Sequence, residues 1–369
     1  MLFLDNQVTA AVLTMRDVVQ ALEESYRDLA TGLGICRPRT DLRLPIDDRR
    51  VYQWGTMEGA SARTGYAALR MKSDVLIEQG DAGSRTQEKY CVRPGRFCGL
   101  VLLLDTRTGE PLAMLNDGLL QHLRVGADSA IGARFAARED SRVLGMLGSG
   151  GMAHSHVEAF LSVRPLERVQ VYSPTRAHRD RFAAEVRERY GLDAVAVDGP
   201  RAVYDGADIV AGCTDSVGDV VRGRHLRPGT HVTCIGGRPD VEATGRFDVW
   251  LRLGNATVPE AAPGSETGGA TEDEYVVYRA RPDAPVWERH QHGKGPRRPP
   301  RDARVVCLDD VLSGSASARE DDQQVTFSER GNIQGAQFHA VAAIVYERAR
   351  ERGLGHVIPR EWLLQDIRD

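Results

Sequence analysis

The stretch LGMLGSGGMAHSHVEAF, residues 144–160, decides the fold class of this chain. A short apolar run leads into three glycines within four positions, and a segment typical of a helix follows. In a Gly-x-Gly-x-x-Ala loop, the first glycine permits a tight turn and the second lets a pyrophosphate approach the backbone. The small third residue packs the helix against the strand, so that the helix N-terminus faces the phosphates. The alternative is a plain strand–helix turn. We predict a nucleotide site made of Gly148, Ser149, Gly150, Gly151, Met152 and Ala153.

The residues after this loop alternate between short apolar runs and helical segments. RVQVYSP, ADIVAGCT and GTHVTCIGG are typical of buried strands, and RDRFAAEVRERYG is typical of a helix. Such alternation indicates an α/β fold with a Rossmann-type doubly wound parallel sheet. Because ligands of such sheets bind beyond the carboxyl ends of the strands, we predict cofactor contacts at Cys213, Thr214 and Gly236. We expect the Cys213 thiol to pack there and to take no part in catalysis.

The end of the second strand of this unit distinguishes NADP from NAD. An NAD site usually places a carboxylate here to bind the ribose 2′-hydroxyl. This chain instead has Ser173, Thr175, Arg176 and Arg179, and the first acidic residue is Asp180. Hydroxyl and guanidinium groups suit a 2′-phosphate, which Arg can bind with two parallel hydrogen bonds. The sequence therefore favours NADP(H) over NAD(H); in the alternative interpretation the arginines are exposed helix residues.

Composition excludes several classes of protein. With 369 residues, the chain exceeds the usual size of one hydrophobic core, which predicts two domains. A hydrophobic content of 41% and a formal net charge of −4 are typical of a soluble globular protein with no general attraction to nucleic acid or membranes. The six cysteines are scattered and form no Cys-x-x-Cys pair, which predicts reduced thiols, a cytoplasmic location and no zinc site. His154 and His156 lack a third metal ligand nearby in the sequence.

The segments that flank the nucleotide unit have a different texture. Residues 40–115 predict strands and turns, LLQHLRVGADSAIGARFAARED predicts a long helix, and GAQFHAVAAIVYERARERGLG predicts a closing helix with a glycine stop. Residues of about 255–304 are rich in Gly, Pro and charge, which predicts an irregular surface insertion.

Together these segments resemble the ornithine cyclodeaminase/mu-crystallin family, in that family's order. The matching stretches include RPRTDLRLP, ALRMKSDV, LLLDTRTGEPLAMLND, LRVGADSAIGARFAARED, the glycine loop, GTHVTCIGG and QVTFSERGNIQGAQFHA. The resemblance implies a homodimer, in which a split substrate-binding and dimerisation domain covers residues 1–127 and 316–369. A Rossmann domain over residues 128–315, which carries the insertion, would lie between the two halves.

The resemblance also implies three substrate-site residues. Lys72 falls on the family's lysine beside the reacting carbon, and Arg39 and Arg124 fall on the arginines that hold the substrate carboxylate. The chemistry is reasonable, because Arg binds a carboxylate bidentately and a lysine enclosed with arginines has a lowered pKa. Such a lysine can act as an acid or base near neutral pH.

Two departures from the family pattern concern the reaction. Cyclodeaminases carry an aspartate where this chain has Arg238, and Asp240 lies two residues later, where a shifted loop would let it substitute. Arg96 falls near the position of a threonine beside the substrate carboxylate. The added cationic groups predict a substrate with more negative charge than ornithine, or one without a distal amine. Glu58 either lines the substrate cavity or faces solvent in a turn.

The leading hypothesis is therefore an oxidoreductase that transfers a hydride between NADPH and an α-imino, ketimine or α-amino acid. The first alternative is an ornithine or lysine cyclodeaminase, which releases ammonia and recycles bound NAD. The second alternative is a non-catalytic protein that binds a small molecule in an NADPH-dependent manner. The joint presence of Lys72, Arg39 and Arg124 disfavours the second alternative.

Overall fold

The computed structural model describes residues 1–79, 86–216, 218–254, 270–272, 275–281, 283–287 and 298–367. The first part of the chain consists of three helices and a set of mostly antiparallel strands. In chain order they are β1 (Leu2–Leu4), α1 (Asn6–Val12), α2 (Met15–Ala30), β2 (Gly34–Cys36), β3 (Thr40–Pro45), β4 (Arg50–Ser61), β5 (Tyr66–Gln79), β6 (Thr86–Tyr90), β7 (Gly99–Asp105), β8 (Pro111–Asn116) and α3 (Gly118–Ala136).

The middle of the chain alternates strands with helices. Its elements are β9 (Val143–Leu147), α4 (Gly151–Leu161), β10 (Arg168–Tyr172), α5 (Arg176–Tyr190), β11 (Asp193–Ala196), β12 (Ile209–Gly212), β13 (Asp219–Val221), β14 (His231–Cys234), β15 (Arg238–Pro239), α6 (Val241–Gly245) and β16 (Val249–Arg252). The last part has β17 (Ala270–Glu272), β18 (Tyr275–Arg279), β19 (Arg304–Cys307), α7 (Leu308–Leu312), β20 (Thr326–Glu329), α8 (Gln334–Glu351) and β21 (His356–Val357).

Local sequence signals account for the ends of the helices. Thr14 and Asp17 form a capping box at the start of α2, in which the Asp17 carboxylate accepts a 3.0 Å hydrogen bond from the Thr14 amide. The helix α5 ends at Gly191, whose φ of +69° is a conformation that glycine adopts at no steric cost. Among the described residues, every helix is too short or too polar to cross a bilayer.

A parallel sheet forms the core of the middle part. Within the described residues its order is β11-β10-β9-β12-β14-β20-β16-β19, and every neighbouring pair is parallel. The strands β12, β14 and β20 are buried along their whole length, as expected for a sheet covered on both faces. The chain winds outward from β9 through β10 to β11 and then returns to the other side of β9 with β12. This confirms the predicted doubly wound α/β fold and places a topological switch point between β9 and β12.

A second, mostly antiparallel sheet is built from the two ends of the chain. Its main path is β17-β18-β3-β4-β5-β7-β8-β1-β21, with β2 added beside β4 and β6 beside β5. At one end of one face the sheet is in close contact with the start of α8, because a Cβ atom on Gly59 would lie 2.5 Å from the Gly335 carbonyl carbon. The opposite face carries large apolar side chains that are 37–44% exposed, namely those of Leu42, Leu44, Trp54 and Tyr278.

Two segments pair with sheets in positions that the sequence did not indicate. The described residues of the predicted irregular insertion include β17 and β18, and β18 pairs in parallel with β3 at the edge of the antiparallel sheet. The strand β20 lies beyond residue 315 and is inserted in the parallel sheet between β14 and β16. All four residues of β20 are buried, although only Phe327 among them is apolar.

Candidate active site

The glycine-rich loop lies at the switch point of the parallel sheet. Gly148 follows β9 with a φ of +116°, and a Cβ atom there would lie 2.0 Å from the carbonyl oxygen of Cys213. Gly150 is the N-cap of α4, and a Cβ atom on it would meet no described atom within 4 Å. Ala153 is fully buried. The loop thus has the tight turn, the open backbone approach and the packed helix start that a pyrophosphate site requires.

The other predicted cofactor residues follow the ends of neighbouring strands. The Ser149 hydroxyl donates a 2.9 Å hydrogen bond to the Ser173 hydroxyl, which joins the ends of β9 and β10. After β12 and β14, the chain approaches itself so closely that a Cβ atom on Gly236 would lie 1.7 Å from the Thr214 carbonyl oxygen. Met152 lies in the first turn of α4, whose first residue Gly151 packs against the imidazole of His122. These residues form one edge of the sheet, where they fit a dinucleotide.

The two arginines predicted to bind the cofactor after β10 have different environments. Thr175 is the N-cap of α5, and Arg176 is 78% exposed, with its guanidinium 3.5 Å from the Asp180 carboxylate. Arg179 is buried and donates a 3.0 Å hydrogen bond to the Ser173 carbonyl. In the structure the Arg179 guanidinium therefore holds the loop after β10, whereas Arg176 is open to a phosphate.

Lys72 lies in the middle of the antiparallel sheet. It is buried on β5 opposite Gly55 of β4, and its ammonium donates a 2.7 Å hydrogen bond to the Asp74 carboxylate. A Cβ atom on Gly55 would lie 2.9 Å from Lys72 Cε and 2.5 Å from Asp41 Oδ1, so a side chain at residue 55 would exclude both groups. Arg39 donates a 2.7 Å hydrogen bond to the same Asp41 carboxylate. The strands therefore bring Lys72 and Arg39 together around two buried carboxylates.

The electrostatics of this cluster favour proton exchange at Lys72. Burial, followed by the nearby charges of Arg39 and Lys89, lowers the pKa of Lys72 well below its ordinary value. The carboxylates of Asp74 and Asp41 oppose this shift. An ammonium group with a depressed pKa can release and regain its proton under mild conditions, which an acid–base catalyst needs.

Arg124 of α3 reaches the same sheet face through an aromatic contact. Its guanidinium lies 4.7 Å from the centre of the Phe338 ring, and the guanidinium of Arg70 lies 5.0 Å from the same centre. Arg70 precedes Lys72 by two residues on β5, so both side chains share one face of the sheet. Arg124 also donates a 2.7 Å hydrogen bond to Gln337, whose amide donates to Tyr26 at 2.8 Å. This buried chain of hydrogen bonds fixes the Arg124 guanidinium.

Two other predicted substrate residues have local hydrogen bonds in the structure. Arg96 is in an exposed turn, where its carbonyl accepts a hydrogen bond from the Cys91 amide. The Asp240 carboxylate caps α6, since it accepts hydrogen bonds from the Ala243 amide at 2.7 Å and the Gly223 amide at 3.0 Å. An aspartate with these bonds holds the start of a helix.

The remaining residues singled out in the sequence have local partners. Arg238 is half-buried in β15, which pairs with β13. Glu58 forms a salt bridge with the exposed Arg37. His156 is fully buried, with ring nitrogens 2.6 Å from the Met152 carbonyl and 3.0 Å from the Ser129 hydroxyl. Within the described part of the chain, no three His, Cys, Asp or Glu side chains are placed to hold a metal ion.

The residues that surround Lys72 were not predicted from the sequence. Asp41 follows Arg39 by two positions and Asp74 follows Lys72 by two, and on a strand this spacing puts each pair on one face. That periodicity was the available signal. No such signal in the sequence indicated Lys89, because only the antiparallel pairing of β6 with β5 brings it opposite Leu76, on the sheet face that carries Lys72.

One isolated bridge links the two sheets. Thr86, at the start of β6, forms an antiparallel bridge with Ser216, which lies in the loop that follows β12. The same loop contains Thr214, one of the predicted cofactor residues. The start of the strand that carries Lys89 therefore contacts the loop that follows β12 of the parallel sheet.

Comparison with known proteins identifies the family. The family model described as "Ornithine cyclodeaminase/mu-crystallin family" matches residues 86–353. The chain is 27% identical over 302 residues to Delta(1)-pyrroline-2-carboxylate reductase of Bacillus cereus, covering 81% of this chain and 82% of that protein. It is 25% identical to alanine dehydrogenase of Archaeoglobus fulgidus, covering 97% and 98% of the two chains.

A solved structure has the same fold over almost the whole chain. It is that of Thermococcus litoralis Delta(1)-pyrroline-2-carboxylate reductase with NADH and L-proline, with a TM-score of 0.73 and 19% identity, covering 97% of this chain and 100% of that one. The comparisons confirm the predictions of an α/β fold, an enzyme and an NAD(P)-dependent oxidoreductase. The chain belongs to the ornithine cyclodeaminase/mu-crystallin family.

Proposed function

We propose that this enzyme transfers a hydride between a nicotinamide dinucleotide and the α-carbon of an α-imino, ketimine or α-amino acid. The observation that carries the proposal is the buried Lys72 ammonium, which lies beside Arg39 on a sheet face that continues to Arg124. A bound nicotinamide supplies or accepts the hydride. The reductase and dehydrogenase names of the relatives agree with this reaction class.

The roles of the three residues follow from their charges. Arg39 and Arg124 bind the α-carboxylate, because a guanidinium matches the planar geometry of a carboxylate. Lys72 gives a proton to the imine nitrogen in the reductive direction and takes it back from the amine in the oxidative direction. Asp74 accepts a hydrogen bond from the lysine and so holds the ammonium in position.

The experiment is an assay of the purified protein with NADPH. The substrates are cyclic ketimines, and 2-oxo acids supplied with ammonium. We expect loss of NADPH absorbance with at least one of them, because each presents a carboxylate next to a reducible C=N carbon. No NADPH oxidation across the panel would contradict the proposal, and ammonia release from ornithine without net NADPH oxidation would favour the cyclodeaminase instead. The capping role of Asp240 supports the reductase over the cyclodeaminase.

We propose NADP(H) as the preferred cofactor, with Arg176 as the 2′-phosphate ligand. The Arg176→Ala variant is expected to bind NADPH about tenfold to hundredfold more weakly, since a hydrogen bond between charged groups contributes about 1.5–3 kcal/mol. NADH binding is expected to stay the same, and fluorescence titration with both cofactors measures the difference. Arg181→Ala, on the same helix and also exposed, is the matched control. Equal weakening for NADH and NADPH would argue against this role.

We also propose the assembly, the domain limits and the location. The exposed apolar sheet face that includes Leu42, Leu44 and Trp54 would be covered in a homodimer. The antiparallel and parallel sheets support a substrate-binding and dimerisation domain split around a Rossmann domain, with β18 belonging to the former and β20 to the latter. The substrate is a small amino or imino acid. The six scattered cysteines, which form no Cys-x-x-Cys pair, support a reducing compartment such as the cytoplasm.

A further inference from the structure

The sheet face that carries Lys72 continues into a second polar region. Three side chains beyond Lys72 share this face, because Arg43 of β3 pairs with Gln53 of β4, which in turn pairs with Asp74 of β5. Lys89 of β6 lies opposite Leu76, one step further along the same face. The region composed of Arg43, Gln53 and Lys89 is called the distal cluster here. It borders the lysine that we assign to the reaction.

Gln53 is the central side chain of the distal cluster. It is 1% exposed, and its carbonyl oxygen accepts a 2.9 Å hydrogen bond from Arg43. Its amide nitrogen has no hydrogen-bond partner among the described residues. A buried N–H donor without an acceptor is unfavourable, so this donor is suited to an acceptor group of a ligand.

The charge balance of the face specifies the kind of acceptor. Arg39 and Arg43 are permanent cations and Lys72 and Lys89 are ionisable ones, whereas Asp41 and Asp74 are the carboxylates among the groups that influence the pKa of the two lysines. Burial, followed by the charge of Arg39, lowers the pKa of Lys89 to about 8. The two guanidinium groups stay charged at neutral pH, and an anion bound beside them would offset their repulsion of a protonated Lys89.

The far end of the distal cluster is closed by the insertion. Trp287 packs with Val51 and Leu76, and its indole N–H donates a 2.7 Å hydrogen bond to the Arg281 carbonyl. Arg279 lies with its guanidinium 5.3 Å from the centre of the Trp287 ring. An apolar wall behind a set of cations reduces their contact with water and strengthens their attraction for an anionic ligand.

We propose that the distal cluster binds a second carboxylate of the substrate, so that the enzyme acts on an α-imino or α-amino dicarboxylic acid. The side chains that carry this are the unpartnered amide of Gln53 and the ammonium of Lys89, next to Arg43. The inference rests on the proposed function, because it takes Arg39 and Arg124 as the ligands of the first carboxylate. It names the substrate class of that same site.

The test compares acids that differ only in the second carboxylate. Racemic aspartate and glutamate are oxidised with NADP⁺ beside racemic 2-aminobutyrate and norvaline, which have the same numbers of carbon atoms. We expect kcat/KM to be at least about 100-fold higher for the dicarboxylic member of one pair, since two or more charge-assisted hydrogen bonds are added. Lys89→Met and Gln53→Leu are expected to lower that kcat/KM about tenfold to hundredfold, mainly through KM, whereas Lys89→Arg retains most of it.

A binding measurement separates this inference from the proposed function. Succinate and butyrate are added to the NADPH-bound protein, and the melting temperature is followed for the wild type and for Lys89→Met. Selective stabilisation by succinate that is lost in Lys89→Met supports the distal cluster even if no amino acid is oxidised, an outcome that would contradict only the hydride-transfer proposal. Equal stabilisation by both acids, or equal loss of kcat/KM for mono- and dicarboxylic substrates in Lys89→Met, overturns the inference.

Discussion

Replacing Lys72 with methionine is expected to lower kcat by about 10²–10⁴-fold, the usual contribution of a general acid or base. Methionine fills the buried space that the lysine stem occupies between β4 and β5, but it carries no exchangeable proton. NADPH binding is expected to remain within about twofold of the wild type, because Lys72 is not among the residues of the nucleotide loop. Steady-state kinetics with the best substrate, together with a cofactor titration, measures both quantities.

The Lys72→Arg variant separates charge from proton transfer. Arginine keeps the positive charge but stays protonated at all accessible pH values, so we expect it to be nearly as slow as Lys72→Met. The pH dependence of kcat should differ in sign between the two directions of the reaction. Reduction needs the protonated lysine, so the wild-type kcat should fall as the pH rises through the lowered pKa of Lys72, well below 10.5. Oxidation should show the opposite slope. A Lys72→Arg enzyme with wild-type kcat would show that the residue acts only through its charge.

Two glycines of the nucleotide loop should give opposite results when changed to alanine. Gly148→Ala places a methyl group 2.0 Å from the Cys213 carbonyl oxygen at a φ of +116°, so we expect a loss of about 3 kcal/mol or more in the free energy of unfolding. Gly150 has a φ of −87° and open space around its Cβ position, so Gly150→Ala should cost less than about 1 kcal/mol, the usual loss at an N-cap.

Cofactor binding provides the second half of this comparison. A methyl group at residue 150 lies where the backbone approaches the pyrophosphate, and an overpacking cost of about 1–3 kcal/mol corresponds to NADPH binding that is roughly fivefold to hundredfold weaker. Urea unfolding of both variants and an NADPH titration of Gly150→Ala test the pair. If the Gly150→Ala variant binds NADPH as tightly as the wild type, the pyrophosphate does not bind at this loop.

The parallel sheet and its cofactor edge were predictable because their signals are local. The glycine positions, the apolar strands and the small residue at Ala153 lie within one continuous stretch, and each has one physical reason. The function of Arg179 was not predictable in the same way. Arg176 and Arg179 have the same chemistry in the sequence, and only the fold of the loop after β10 buries one and exposes the other.

The substrate-binding part of the site was less predictable, because it depends on contacts between residues that are distant in the sequence. Lys72 was located through the family resemblance, but the pairing of β6 that adds Lys89 follows a hairpin whose register no local pattern specifies. The same holds for β18, because its pairing partner β3 lies more than 200 residues earlier in the chain. The composition of residues of about 255–304 predicted an irregular segment, because it is rich in Gly, Pro and charged residues. An average over the whole segment does not indicate a short strand within it.

The parallel pairing of β18 with β3 has a consequence for the order in which the protein is made. During synthesis on the ribosome, the antiparallel sheet lacks its edge strand β18 until six of the eight strands of the parallel sheet have been made. The nascent N-terminal portion thus emerges with one edge of β3 unpaired, the kind of edge that other chains can join. Exposure of that strand edge during translation follows from this one long-range pairing.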